Sequence, residues 1–363
     1  MRHLILTAAA LSLAACAQAA SEPPFETAEI ASFNEPWALA FLPDGRMLVT
    51  EKSGQLFVVS ESGEKAEIAG VPSVDYGGQG GLGDVTLHPS FAENGIVYLS
   101  FAEAGDDDTR GAAISKSTLD LDALELTGTE IIWRQVPKVT GKGHYGHRML
   151  FDDDGYLWVT NGDRQKFDPS QDMQSSMGKI LRLNDDGTAA AGNPFEDQGG
   201  VTAEIWSLGH RNPLGFDFDL SGQLWNVEMG PRGGDELNLV LRGANYGYPI
   251  VSNGRHYSGR DIPDHDTRPE FEEPKAWWTP VISPGNLEIY TADEFPEWKG
   301  HALIAGLSSQ ALVLVELSGD SASEKTRYDM GKRIRSVDQG PNGAVWVLED
   351  KAGGRLLKLT PKD

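Results

Sequence analysis

The chain has 363 residues, with 42 glycines, 20 prolines, nine tryptophans and a single cysteine. Its formal charge of −23, from 31 basic and 54 acidic residues, excludes nucleic acid as a partner, because phosphate binding needs a basic face. Only 39% of residues are hydrophobic and about one position in six is glycine or proline, which disfavours long helices and suits many short strands.

The N-terminus, "MRHLILTAAALSLAACAQAASEPP", reads as a targeting segment. Arg2 supplies the positive start, and the apolar run 4–15 is short for a bilayer span. We assign 1–20 as a signal peptide and 21–33 as an N-terminal linker. Two cleavage readings stand side by side. "LAAC", Leu13 to Cys16, has the form of a bacterial lipobox that would leave Cys16 lipidated, whereas "AQA", Ala17 to Ala19, is an ordinary small-residue site. Either one places the chain in the periplasm. The first adds a lipid anchor at Cys16 and a tether to the outer membrane. With Cys16 the only cysteine, an intrachain disulfide is excluded.

From residue 34 to 363 we expect one domain. Six segments share a turn, usually rich in Asp, Asn and Gly, beside a hydrophobic strand: 42–59, 88–103, 151–163, 219–230, 297–317 and 340–359. Their turns suit type I and I′ geometry. They recur roughly every 45 to 75 residues, about one four-stranded blade plus loops. The pattern predicts an all-β fold, a six-bladed β-propeller of four-stranded antiparallel blades. Functional residues then belong on the loops at one mouth of the central channel.

Taken in order, "YGGQGGLGD" (76–84) sets Gln79 among five glycines that let backbone approach a ligand. No lysine and no helix follow, so it is not a phosphate loop. "GKGHYGHRML" (141–150) holds His144 and His147 three apart. Its glycines argue against a helix, and zinc lacks a third ligand at any recognisable spacing. A neutral imidazole remains as a proton acceptor near pH 7, with a pair of hydrogen-bonded loop histidines as the plain alternative.

"SLGHRNPLGFDFD" (207–219) sets Arg211 and Asn212 before a proline. Arg211 offers a fork of donors to a carboxylate or oxyanion, or else packs between blades. "EMGPRGGDELNLVLRGANYGYP" (228–249) combines irregular backbone at Gly230 and Pro231 with the carboxylates Asp235 and Glu236. Carbonyls plus carboxylates suit a hard cation such as Ca²⁺, though without EF-hand spacing. The acidic, proline-rich loop 259–275 reads as surface. Trp277 and Trp278 are either core or a stacking face for a pyranose. "GKRIRSVDQGPNG" (331–343) puts Arg333 and Arg335 on one face of a strand, facing an anionic ligand or nearby carboxylates.

Together these motifs resemble the glucose/sorbosone dehydrogenase family, soluble quinoproteins that use pyrroloquinoline quinone (PQQ), and most closely its periplasmic aldose sugar dehydrogenases. The resemblance runs from about Asn34 to Leu359. "LGHRNPLGFDFD" and "GPRGGDELNLVLRGANYGYP" carry its specificity. It implies a six-bladed propeller that oxidises an aldose at the C1 hydroxyl to the lactone, with hydride passing to PQQ and electrons to an external quinone or redox protein. By the same resemblance His144 is the catalytic base. Arg211 acts in catalysis and, with Gln79, Asn212, Tyr257, Arg333 and Arg335, contacts the cofactor. The carbonyls of Gly230 and Pro231 hold the Ca²⁺ that binds PQQ, and Glu236 and Tyr246 a second Ca²⁺. Ser308, in "GLSSQ", stands where relatives often carry a cofactor-binding lysine. Two rival readings are a calcium-dependent propeller hydrolase of the sugar lactonase type and a non-catalytic ligand-binding propeller.

Overall fold

The computed structural model of the chain describes residues 22–362. The targeting segment and Cys16 lie outside the described residues. Twenty-four strands form six four-stranded antiparallel sheets, the six-bladed propeller expected from the repeats. Five blades run outward in chain order, over 36–68, 82–134, 146–208, 213–278 and 284–329. Helix is limited to the short Phe91–Asn94 turn and five 3₁₀ turns among the described residues. None of these is long and apolar enough to cross a membrane.

The sixth blade departs from the sequence reading. Its inner strands are Ile334–Gln339, Val345–Glu349 and Ala352–Pro361, and its outermost strand is Phe25–Asn34. The segment 21–33, read as a linker, therefore supplies most of the strand that closes the ring. Thr27 pairs with Leu359 and Ser32 with Arg355. Phe25 and Phe33 are buried while the residues between them are mostly exposed, so the strand anchors at its two ends. Pairing with this strand covers the edge of Ala352–Pro361, and the radial arrangement leaves each blade only one short outer edge.

The repeat has a physical cause. In blade three, Asp152 Oδ1 accepts the N–H groups of Asp154 and Tyr156, and its Oδ2 accepts Trp158 Nε1 at 2.7 Å. In blade four, Asp219 does the same for Ser221, Gln223 and Trp225. One aspartate thus closes the turn and fixes the tryptophan six residues on.

Six apolar clusters fill the fold, each built from facing surfaces of neighbouring blades. The innermost strand of every blade carries a pairing irregularity near its start. Such bulges re-aim the residues they contain. Here those residues meet on the axis. Arg148 donates from Nε to the Leu214 carbonyl at 2.8 Å and from Nη2 to the Gly285 carbonyl at 2.7 Å. Its Nη1 reaches Asp84 Oδ1 at 3.3 Å, and its guanidinium lies 4.1 Å from the Trp37 ring centroid. One arginine of blade three therefore ties blades one, two, four and five. This pin fixes the mouth on which the site is built.

Candidate active site

The first strand of blade three is preceded by the loop that carries His144. Gly146, at φ 72°, turns the chain so closely against blade three that a Cβ would lie 2.7 Å from the Thr160 carbonyl. His144 itself sits at φ 50°, a left-handed conformation costly for a side chain. Three contacts hold it there. Its N–H donates to Gln79 Oε1 at 2.7 Å, its carbonyl accepts Arg164 N at 3.2 Å, and its Nδ1 lies 2.6 Å from Asp163 Oδ1. Arg164, fully buried, clamps the same loop by donating to the carbonyls of Gly141 and Gly143.

Asp163 was not among the residues expected from sequence. It is completely buried and also accepts the N–H groups of Gln165 and Phe167. A carboxylate can only accept, so Nδ1 of His144 carries the hydrogen and Nε2 the lone pair. Nε2 has no hydrogen-bond partner among the described residues, and His144 lines a cavity of about 310 Å³ with Gln165, Phe167, Arg211, Tyr248 and Tyr257. Burial pulls the His144 pKa below its ordinary 6.5; the Asp163 hydrogen bond pushes it back, and the Arg211 charge adds to the pull. The imidazole is thus a neutral acceptor oriented by a buried carboxylate.

Arg211 faces the same cavity. Glu228 fixes its backbone N–H at 2.6 Å, and its Nη1 donates to the carbonyls of Met229 and Gly230 at 2.9 and 2.6 Å. Nη2 reaches the Tyr257 hydroxyl at 3.4 Å. Tyr257 is 71% exposed and forms the outer rim. The Nε of Arg211 is buried without a partner.

A second cavity of about 210 Å³ is lined by Lys52, Gln79, His147, Arg333, Arg335, Glu35, Asp350 and Lys351 among others, and Gln79 links it to the first through its bond to the His144 N–H. Arg333 and Arg335 both hold Asp350: Nε of Arg333 at 2.8 Å from one oxygen, Nη2 of Arg335 at 3.1 Å from the other. Burial pushes the Asp350 carboxyl up, but the Arg335 charge and the Arg333 hydrogen bond outweigh it and leave the pKa below its ordinary value. Of the two sequence readings, a neutralised carboxylate is present, and the guanidinium pair still lines the cavity. Four cationic side chains against two carboxylates make this wall positive in a chain of net charge −23.

Other expected residues fall elsewhere. Asn212 is fully buried beneath the mouth, where its Oδ1 accepts the Gly146 N–H at 3.3 Å. Ser308 lines neither cavity and bonds to Val281 O and Ser283 Oγ. His147 is buried between Tyr145 and Trp37, and neither ring nitrogen has a hydrogen-bond partner. Burial brings its pKa down to about 3, so it is neutral. Trp278 is core, with its indole on Glu324. Trp277 is exposed and lines a separate cleft with residues of the 253–264 loop.

The fit to PQQ and to calcium differs. Residues lining the two cavities carry buried polar atoms without partners: Arg211 Nε, the Tyr145 hydroxyl and both His147 nitrogens. With the cationic wall they suit a polar, anionic, planar ligand, and PQQ has that chemistry. The expected calcium positions offer oxygens that are already partly engaged. The Gly230 carbonyl accepts Arg211 Nη1, while Pro231 lines the His144 cavity. Asp235 spends its oxygens on the N–H groups of Gly230 and Ser283. At the second position, the Tyr246 carbonyl accepts His265 Nε2 at 3.1 Å, from the loop read as surface. Glu236 lies beside Glu228 on the neighbouring strand, and burial, then the Glu228 charge, raise its pKa well above the ordinary carboxyl range. No group of three or more His, Cys, Asp or Glu side chains among the described residues is arranged to hold a metal.

A propeller whose mouth joins a proton-accepting His–Asp pair to an anion-binding wall has the layout of a cofactor-dependent oxidoreductase. The glucose/sorbosone dehydrogenase family model matches residues 33–358, and the chain belongs to that family. It is 39% identical over 337 residues to aldose sugar dehydrogenase YliI of Escherichia coli (strain K12), covering 91% of each chain. Among solved structures, the apo form of the soluble E. coli aldose sugar dehydrogenase superposes with a TM-score of 0.88 at 37% identity, over 93% of this chain and 100% of that one. The PQQ-bound aldose sugar dehydrogenase of Streptomyces coelicolor superposes with a TM-score of 0.77 at 28% identity, over 94% and 100%.

Proposed function

We propose that this chain is a PQQ-dependent aldose sugar dehydrogenase that oxidises the C1 hydroxyl of a sugar to the lactone. The observation that carries the reading is the neutral His144, held by Asp163, opening into a cavity beside Arg211 and the cationic wall. His144 Nε2 accepts the C1 hydroxyl proton. Asp163 keeps the ring oriented and stabilises the imidazolium that forms. Arg211 presents its guanidinium, including the unpartnered Nε, to negative charge that develops beside the sugar. Arg333 and Arg335 anchor carboxylates of the bound cofactor. PQQ supplies the hydride acceptor that no side chain offers.

Export to the periplasm through residues 1–20, with an outer-membrane tether where Cys16 is lipidated, completes the reading, as does electron delivery to an external quinone or redox protein. A calcium requirement belongs to it as well, with no step assigned to the ion.

Reconstitution tests this. The signal-less protein is incubated with PQQ, with and without Ca²⁺, and aldose-dependent reduction of an artificial electron-accepting dye is followed. Turnover that needs PQQ and disappears in His144→Ala is the expected result. PQQ bound without turnover of any aldose would refute the dehydrogenase reading.

A further inference from the structure

The cationic wall described above comes mainly from blade six, through Arg333 and Arg335. Lys52 approaches the same cavity from blade one, in the turn between strands Met47–Glu51 and Gln55–Val59. Its backbone is fixed on three sides. The Lys52 N–H donates to the Glu35 carbonyl at 3.1 Å, and its own carbonyl accepts Leu82 N at 2.9 Å. A Cβ on Gly81 would lie 2.0 Å from that carbonyl, so the glycine-rich loop is seated directly on it. The side chain, 12% exposed, cannot swing freely into solvent.

Its ammonium is incompletely satisfied. Nζ donates to the Gly78 carbonyl at 3.0 Å and meets Glu35 Oε1 at 3.4 Å, long for a charge-assisted bond. Glu35 is itself engaged by the Tyr76 hydroxyl. Three ammonium hydrogens thus face one good acceptor and one distant one. Across the cavity, Asp350 is saturated by two guanidinium groups, which leaves net positive charge there too. Two under-neutralised cationic groups on adjacent blades face one cavity that the unpartnered Tyr145 and His147 also line.

We propose that Lys52 is a third cationic anchor for the anionic cofactor, opposite Arg333 and Arg335, so that a carboxylate-bearing ligand bridges blades six and one. The inference rests on the reading of this cavity as the PQQ site. It assigns to Lys52 a charge that Ser308, which lines neither cavity, does not provide. It also gives ligand binding a structural consequence. Blades six and one pack together through Leu39, Met47, Trp346 and Leu348, so the bridge fastens that interface.

The test compares wild type, Lys52→Gln and Lys52→Arg by PQQ titration, read by absorbance in Ca²⁺-containing buffer at two salt concentrations, and by the rise in Tm on adding PQQ. Circular dichroism of each apo protein checks folding. Lys52→Gln is expected to weaken binding about tenfold, to flatten its salt dependence and to reduce the Tm rise, while Lys52→Arg stays within about threefold of wild type. Unchanged affinity and salt dependence in Lys52→Gln would overturn the proposal and leave the cavity assignment standing. Equal weakening in both variants with a wild-type salt dependence would make Lys52 a mere support for the Gly78 loop, and would overturn it too. Failure of wild type to bind PQQ would refute the underlying reading of the cavity, and the anchor with it.

Discussion

His144 Nδ1 lies 2.6 Å from Asp163 Oδ1, and the carboxylate is completely buried. Asp163→Asn keeps the shape but offers an amide that can present its N–H to the ring. The ring then loses its fixed tautomer, and Nε2 ceases to be a reliable acceptor. We expect kcat to fall by about 10²–10⁴ with KM little changed, measured by steady-state dye reduction. A fall below about threefold would show that Asp163 supports only the loop.

The same pair sets the acid limb of the pH profile. The base works when neutral. Burial, with the Arg211 charge, outweighs the Asp163 bond and holds its pKa below 6.5. Activity should therefore persist below pH 6.5 and decline only as pH falls through the lowered value. In Asp163→Asn the one strong upward influence is gone, so the limb should move to still lower pH. A wild-type kcat/KM that halves at or above pH 6.5 would contradict the assignment of His144.

In the sequence Arg148 only follows His147 within "GKGHYGHRML". Its three-dimensional role is to satisfy two carbonyls and a carboxylate from three other blades. Replacing it with Met leaves Asp84 buried beside the carbonyls of Leu214 and Gly285. Losing one partner of a buried pair costs about 3–5 kcal/mol. Urea unfolding should show that loss for Arg148→Met. Arg148→Lys should recover little, since one ammonium cannot reach acceptors in three directions. A loss below about 1 kcal/mol would mean the ring does not depend on this pin.

The blade count was legible because the turn and strand are local: Asp152 with Trp158, and Asp219 with Trp225, lie six residues apart. His144 and Arg211 were legible through motif, since each sits in a distinctive phrase. Asp163 was not. Its signal, the "NGD" that ends a repeat, looked like another turn, and only the fold brings it to His144 from 19 residues away. Lys52 was hidden for the same reason, in a hairpin turn inside the first repeat. The linker reading of 21–33 failed because a strand that pairs with the far end of the chain leaves no local partner to reveal it; Phe25 meets Pro361. The calcium positions rested on the resemblance, and no local pattern reveals that the Gly230 and Tyr246 carbonyls also accept bonds from Arg211 and His265.

The closing strand gives a direct test. Phe25 packs with Trp298 and Tyr328, at ring-centroid separations of 5.9 and 5.5 Å, in the core between blades five and six. Phe25→Ala should cost about 3–5 kcal/mol, and removal of 22–33 should expose the Ala352–Pro361 edge and cause aggregation. Differential scanning fluorimetry and light scattering read both. A truncated protein with unchanged Tm would show that three strands suffice for blade six.

The central channel makes stability depend on pH. Asp338, Asp217, Glu288 and Asp84 line it with Arg148. Burial pushes Asp338 up to about 7 against the pull of Arg148, and Asp217 up to about 6. Glu288 is raised by burial and then by the charges of Asp217 and Asp338. A carboxyl raised in the folded state contributes stability that is full below its unfolded pKa, about 3.9, and is lost as pH rises through the folded value. For Asp338 that window runs from about pH 4 to about pH 7. Asp350, lowered by its two arginines, acts in the opposite sense at acid pH, so the total profile mixes both. The difference between wild type and Asp338→Asn isolates one group. The amide keeps an acceptor for Ser336 Oγ and carries no charge to desolvate. Relative to wild type, the variant should gain at least about 1 kcal/mol between pH 4 and pH 8, read by urea unfolding at both. A difference that stays constant across that range would mean Asp338 titrates as an ordinary carboxyl, and that water in the channel screens it fully.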